Sequence, residues 1–159
     1  MSTTNPSASY FEQVAGQWDR MRCGYFSPAV REAAIAKAYL HPAMIVADVG
    51  AGSGFMASGL APRVEKVHLL DGSQAMLVVA RQNLAGFDNL EFHQADGLAL
   101  PLQDASLDSV FANMYLHHCP DPLGAITEMV RLLRPGGRLV VTDLDQHPHE
   151  WFKTEMSDV

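Results

Sequence analysis

Residues 44–49 (Met-Ile-Val-Ala-Asp-Val) are an almost wholly apolar run that stops abruptly at Gly50-Ala51-Gly52-Ser53-Gly54. Such a run suits a strand covered on both faces, as strands of parallel sheets are, rather than one half-wetted by solvent. The glycines that end it let the backbone turn sharply and approach a ligand with no Cβ in the way. A short helical pattern (Phe55, Met56, Leu60) follows, and the same theme then repeats along the chain. Residues 67–70 are a second strand ending at Asp71-Gly72, and Ser73 is placed to cap a helix carrying Met76, Ala80 and Leu84. A third strand spans 90–94 and ends at Ala95-Asp96-Gly97, and a fourth spans 107–112. Asp121-Pro122 opens a helix with Leu123, Ile126, Met129, Val130 and Leu133 on one stripe. Arg134-Pro135-Gly136-Gly137 stops that helix and feeds a fifth strand over 138–142. Connections long enough for crossovers make the whole a right-handed parallel α/β sheet with helices on its faces.

Ahead of this core, residues 10–40 carry a helical pattern, with Ser27-Pro28 as N-cap and first helical proline and His41-Pro42 as its stop. Tyr10, Phe11, Trp18, Tyr25 and Phe26 crowd into this segment and predict a helical lid docked on the sheet. The expected organisation is a flexible tail over 1–9, a lid and substrate segment over 10–42, and a ligand-binding core over 43–159. Eleven basic against eighteen acidic side chains give a net charge of −7 with no basic stripe, which argues against nucleic acid as the partner. The polar start MSTTNPSAS is no signal peptide, and no apolar stretch nears the roughly 18 residues of a membrane helix. Cys23 and Cys119 sit in no metal-ligand spacing and suit a reducing interior, so a cytoplasmic protein is expected.

In an open parallel sheet, ligands bind beyond the carboxyl ends of the strands. Asp71 lies 21 residues beyond Gly50, a spacing that places an acid to accept both hydroxyls of a ribose. Asp96, after the third strand, is a candidate acceptor for an exocyclic amine. Either aspartate alone reads better as turn chemistry; both together after consecutive strands point to a nucleoside. A dinucleotide dehydrogenase needs a small residue where Phe55 stands, and a phosphate-loop NTPase needs the Gly-Lys-Ser/Thr that is missing here.

With these residues the chain resembles the class I S-adenosylmethionine-dependent methyltransferases. The likeness is carried by VADVGAGSG (46–54), VHLLDGS (67–73), QADGLALP (94–101) and LDSVFANMYLHHCPDP (107–122) through LRPGGRLVVTD (133–143). It is strongest to the small-molecule branch that includes the ubiquinone/menaquinone-type C-methyltransferases. The resemblance implies a Rossmann-like fold with strand order 3-2-1-4-5, S-adenosylmethionine as donor and S-adenosylhomocysteine as product. It implies that Gly50, Ala51 and Gly52 line the methionine moiety, with Asp48 bracing their turn. Asp71 and Gly72 would hold the ribose, Met76 would pack on the nucleoside, Ala95, Asp96 and Gly97 would face the adenine, and Asn113 would lie near the transfer centre. The acceptor would be a small molecule. Asn113 is not followed by the two prolines of the enzymes that methylate nucleobase or glutamine amines, which argues against that class.

His117 and His118 follow the fourth strand and are the candidates for a general base, against a plain packing role beside Pro120. The run Asp143-Leu-Asp145-Gln-His147-Pro-His149-Glu150 has metal-ligand residue types, but it reads better as rim surface with His147 or His149 touching substrate, so no metal is assigned. Cys119 reads as a small buried hydrophobe. The family sheet normally continues with a helix and two antiparallel strands, which are expected to be absent here. An apolar edge at 139–141 would then be open and invite pairing with a second copy or aggregation, unless the final helix folds back to shield it. A donor-binding module without turnover, or a truncated methyltransferase fragment, is the alternative to an enzyme.

Overall fold

The computed structural model describes residues 6–24 and 27–145. Its sheet has five strands, β1 (Ile45–Val49), β2 (Lys66–Asp71), β3 (Leu90–Gln94), β4 (Leu107–Asn113) and β5 (Leu133–Thr142), in the order β3-β2-β1-β4-β5. Every pairing is parallel. The helices are α1 (Pro6–Val14), α2 (Trp18–Arg22), α3 (Pro28–Ala38), α4 (Phe55–Leu60), α5 (Gln74–Asn83) and α6 (Pro122–Leu132). No helix among the described residues is long and apolar enough to cross a membrane.

The central strands are apolar because both of their faces are covered. On one face Val46, Val67, Leu69 and Phe111 pack against Ile35, Met56, Leu77 and Ala80 of α3, α4 and α5. On the other, Ala47, Val49, Leu70 and Val110 pack against Ala125, Met129 and Leu132 of α6. Two helix starts match their sequence signals: Ser73 Oγ accepts from Met76 N at 3.1 Å and Asp121 Oδ1 accepts from Gly124 N at 2.9 Å. Ser27 has extended backbone before Pro28, but its side chain makes no capping bond.

Two elements differ from expectation. The helical pattern over 10–40 is broken into α1, a 3-10 turn at Ala15–Gln17, α2 and α3, and α1 already starts at Pro6. Strand five begins at Leu133 rather than 138. Its pairing jumps from Leu107↔Leu133 to Ser109↔Arg138, so the Arg134–Gly137 turn becomes a bulge inside the strand. Asp108, opposite that bulge, ties three pieces together: Oδ1 pairs with Arg134 Nη1 at 2.8 Å and Oδ2 accepts from Ile45 N at 2.7 Å. Strand five is an edge of the described sheet, with Val141 38% exposed.

Candidate functional site

The carboxyl ends of β1, β2, β3 and β4 open into a cavity of about 580 Å³, within the usual range for small-molecule and cofactor pockets. Asp48, Gly50, Ala51, Gly52, Asp71, Gly72, Met76, Ala95, Asp96, Gly97 and Asn113 all line it. The turn after β1 is left-handed at Gly50 (φ 68) and Gly52 (φ 52), which L side chains rarely adopt. At Gly52 an added Cβ would meet Trp18 Nε1 at 3.6 Å, an ordinary van der Waals contact, so the backbone conformation rather than crowding calls for glycine there. Gly50 thus makes the sharp turn expected of it, and at Gly50 and Gly97 a further reason for glycine is added. A Cβ at Gly50 would run into the Tyr115 ring and one at Gly97 into its hydroxyl, so these two glycines make room for a tyrosine that walls the cavity.

Asp71 organises the floor. Its Oδ2 accepts from Gly52 N at 2.7 Å and its Oδ1 from Ser73 N at 2.8 Å, so the end of β2 holds the glycine turn in shape. Burial pushes this carboxyl above the ordinary range, against the pull of those two amides. Asp96 Oδ1 accepts from Leu98 N at 2.9 Å, an Asx turn on an exposed residue.

Asp48 lies beneath the turn, 1% exposed, and accepts from Ala57 N at 3.1 Å. Burial pushes its carboxyl up to about 7, opposed by that amide and reinforced by Asp71. An acid whose folded value exceeds its unfolded 3.8 binds more protons folded than unfolded in between. Its contribution therefore falls as pH rises from about 4 to 7, by up to about 1.4 kcal/mol per unit. Asp48→Asn keeps an acceptor for Ala57 without the charge. The variant is expected to be more stable than wild type by roughly 1–3 kcal/mol at pH 8, with the gap closing at pH 4. Urea unfolding at both pH values checks this, and a gap independent of pH would contradict it.

The N-terminal helices cover the cavity. Phe11, Trp18 and Arg22 line it. Phe11 meets Trp18 edge-on at 5.1 Å and His118 at 5.0 Å. Polar bonds fix the cover: Glu12 Oε1 accepts from Ser73 Oγ at 3.0 Å and from Ala75 N at 3.1 Å. Asp19 accepts from Ser53 Oγ at 2.6 Å and from Asn83 Nδ2 at 2.7 Å. Of the five aromatics expected in the lid, Tyr25 and Phe26 lie outside the described residues.

At the end of β4 the two histidines separate. His118 is buried and lines the cavity, whereas His117 lies behind it, ring centroids 3.9 Å apart. His117 Nδ1 is 2.5 Å from Asp143 Oδ1, and its Nε2 is buried with no hydrogen-bond partner among the described residues. Asp143 also accepts from Tyr115 N, Leu116 N and Leu144 N. Sequence reasoning had placed it in a polar surface run and missed this role. His147 and His149 of that run lie outside the described residues. Cys119 is buried and its thiol points at the Tyr115 carbonyl, 3.6 Å away.

Trp18 was expected in the lid, whereas Tyr115 and Arg22 were not among the expected donor contacts. Arg22 brings a cation to the wall, its guanidinium carbon 4.2 Å from the Phe55 ring centroid. The set has the chemistry an adenosyl sulfonium amino acid calls for: a glycine turn, a half-buried acid, a second and exposed acid, a cation and aromatic cover.

Residues 47–141 match the family model described as a methyltransferase domain. A malonyl-[acyl-carrier protein] O-methyltransferase from Marinomonas sp. (strain MWYL1) is 35% identical over 145 residues, covering 87% of this chain and 54% of the relative. The ubiquinone/menaquinone biosynthesis C-methyltransferase UbiE of Hahella chejuensis (strain KCTC 2396) is 35% identical over 149 residues, covering 87% of this chain and 59% of the relative. The chain thus spans little more than half the length of these two relatives. Among solved structures, the DhpI–SAH complex has a TM-score of 0.76 and 28% identity, over 92% of this chain and 72% of that one. With the family model matching more than half of the residues on this sheet order, the chain belongs to the class I S-adenosylmethionine-dependent methyltransferases.

Proposed function

We propose that the chain transfers the methyl group of S-adenosylmethionine to a small-molecule acceptor held under the N-terminal helices. The observation that carries this is the convergence of four strand ends on one cavity lined by every expected donor-binding residue. When bound, S-adenosylmethionine supplies a methyl group on a sulfonium that is already a good leaving group.

The residues have correspondingly modest tasks. Gly52, with Gly50 and Ala51, gives a backbone wall for the methionine moiety, and Arg22 meets its carboxylate. Asp71 accepts the ribose hydroxyls, Met76 packs on the nucleoside, and Asp96 and Gly97 face the adenine. Asn113, whose Oδ1 accepts from Thr142 Oγ1 at 2.5 Å, is held at the transfer end. Phe11 and Trp18 exclude water, so alignment in a dry cavity carries most of the catalysis; proximity of this kind is worth roughly 7–11 kcal/mol. His118 faces the same space and is the group placed to take a proton from an acceptor, while His117 and Asp143 hold it in place. The names of the relatives favour an oxygen or carbon acceptor.

Incubation with methyl-labelled donor and a panel of carboxylate, quinol, phenol, amine and thiol acceptors tests the reading. Label is expected on a carboxylate or quinol, and His118→Ala is expected to lower its transfer by about a hundredfold or more. Donor binding without transfer to any acceptor would favour a binding module instead.

A further inference from the structure

A second cluster lies away from the cavity, on the edge of the sheet. The β2–β3 register sets Glu91 beside His68 and His93 beside Leu70. Side chains alternate along a strand, so His68, Glu91 and His93 share one face. It is the face opposite α4 and α5, and the connection over 95–106, which has no helix, leaves it thinly covered.

Three ligand atoms meet there. His68 Nδ1 lies 3.0 Å from His93 Nε2 and 3.3 Å from Glu91 Oε2, and His93 Nε2 lies 3.9 Å from Glu91 Oε2. A tetrahedral ion with metal–ligand distances of about 2.0–2.1 Å has ligand–ligand edges of about 3.3 Å, so these separations bracket what such an ion needs. We propose that His68, Glu91 and His93 form a binding site for a zinc-type divalent ion, with its fourth position open to solvent.

The surroundings are built for it. Lys66 Nζ holds the other carboxylate oxygen, Oε1, at 2.6 Å, which fixes Glu91 in place and leaves Oε2 for the ion. His68 is 9% exposed, so one ligand is anchored in the core, while the exposed Glu91 gives an entry path. The two facing imidazole nitrogens share one hydrogen bond, so an ion entering there must displace its proton, as metal binding to histidine generally does. Two imidazoles and one carboxylate select zinc-like ions over magnesium or calcium, which prefer all-oxygen sites. None of the three residues lines the donor cavity, so the site is independent of methyl transfer. Its effect is to clip the edge strand β3 to β2.

The test uses the full chain stripped with a chelator and titrated with zinc chloride by calorimetry. One ion per chain is expected, with a dissociation constant of about 10 µM or tighter, and His93→Gln or Glu91→Gln is expected to weaken it at least tenfold. The His147→Gln/His149→Gln double variant is expected to bind as wild type does. Cobalt loading should give the intense visible bands of a four-coordinate ion in wild type and lose them in His93→Gln. Circular dichroism and S-adenosylhomocysteine affinity are expected to be unchanged in His93→Gln, which separates lost ligation from lost folding. Zinc affinity unchanged in His93→Gln, loss of the ion in the His147/His149 double variant, or no binding below about 100 µM would each overturn the proposal.

Discussion

Replacing Asp143 by alanine is expected to lower the unfolding free energy by about 3–5 kcal/mol. One carboxylate serves four donors. Its Oδ2 accepts from Tyr115 N at 3.1 Å and Leu116 N at 2.6 Å, while Oδ1 accepts from Leu144 N at 2.8 Å and meets His117 Nδ1. Each partly buried donor left without a partner costs about 1–3 kcal/mol, and water recovers only some of that. The same bonds hold a strained place, since Met114 just before them has φ 52. Burial alone would raise the Asp143 carboxyl, but His117 and the amides of Leu144 and Leu116 more than offset it and hold it below the ordinary value. The sign follows: this contribution is present above about pH 4 and is lost as pH falls through the folded value. Tyr115, His117 and His118 all hang from this pin, so methyl transfer should fall with stability. Urea unfolding of Asp143→Ala and Asp143→Asn at pH 7 measures it, with asparagine intermediate. A loss below about 1 kcal/mol for alanine would show that water or neighbouring groups replace the carboxylate.

The second large effect is on ligand binding. Asp71→Ala is expected to weaken S-adenosylhomocysteine affinity by about 1–3 kcal/mol, roughly fivefold to 150-fold. Two causes add. The variant loses the charge-assisted bonds to the ribose, and it frees Gly52 N and Ser73 N, so the glycine turn is no longer preorganised. Asp71→Asn keeps one acceptor and should fall between. An unchanged dissociation constant in Asp71→Ala would mean that the ribose is held elsewhere.

Much of this architecture was legible because its signals are local. The apolar strand runs owe their composition to burial on both faces, and the helix starts at Ser73 and Asp121 announce themselves through a side chain bonding to a nearby amide. That the expected residues share one cavity was legible for a related reason: most lie at or just after a strand end, and all parallel strands deliver their ends to one side. What was missed depends on distance along the chain. That Tyr115 occupies the space above both Gly50 and Gly97 needs three separate loops brought together. Asp143 looks like any surface aspartate until β5 pairs with β4 and sets it against the Tyr115 and Leu116 amides. His68 carries no ligand spacing of its own, because its partners sit on the neighbouring strand. The break of the first helical pattern at Ala15–Gln17 and the bulge in β5 are likewise settled by docking, which periodicity does not register.

The most direct test of the account is a calorimetric titration of the chain with S-adenosylhomocysteine, run beside one with NADH. One S-adenosylhomocysteine per chain, with no heat from NADH, is the predicted result. Saturable NADH binding with silence toward S-adenosylhomocysteine would contradict it.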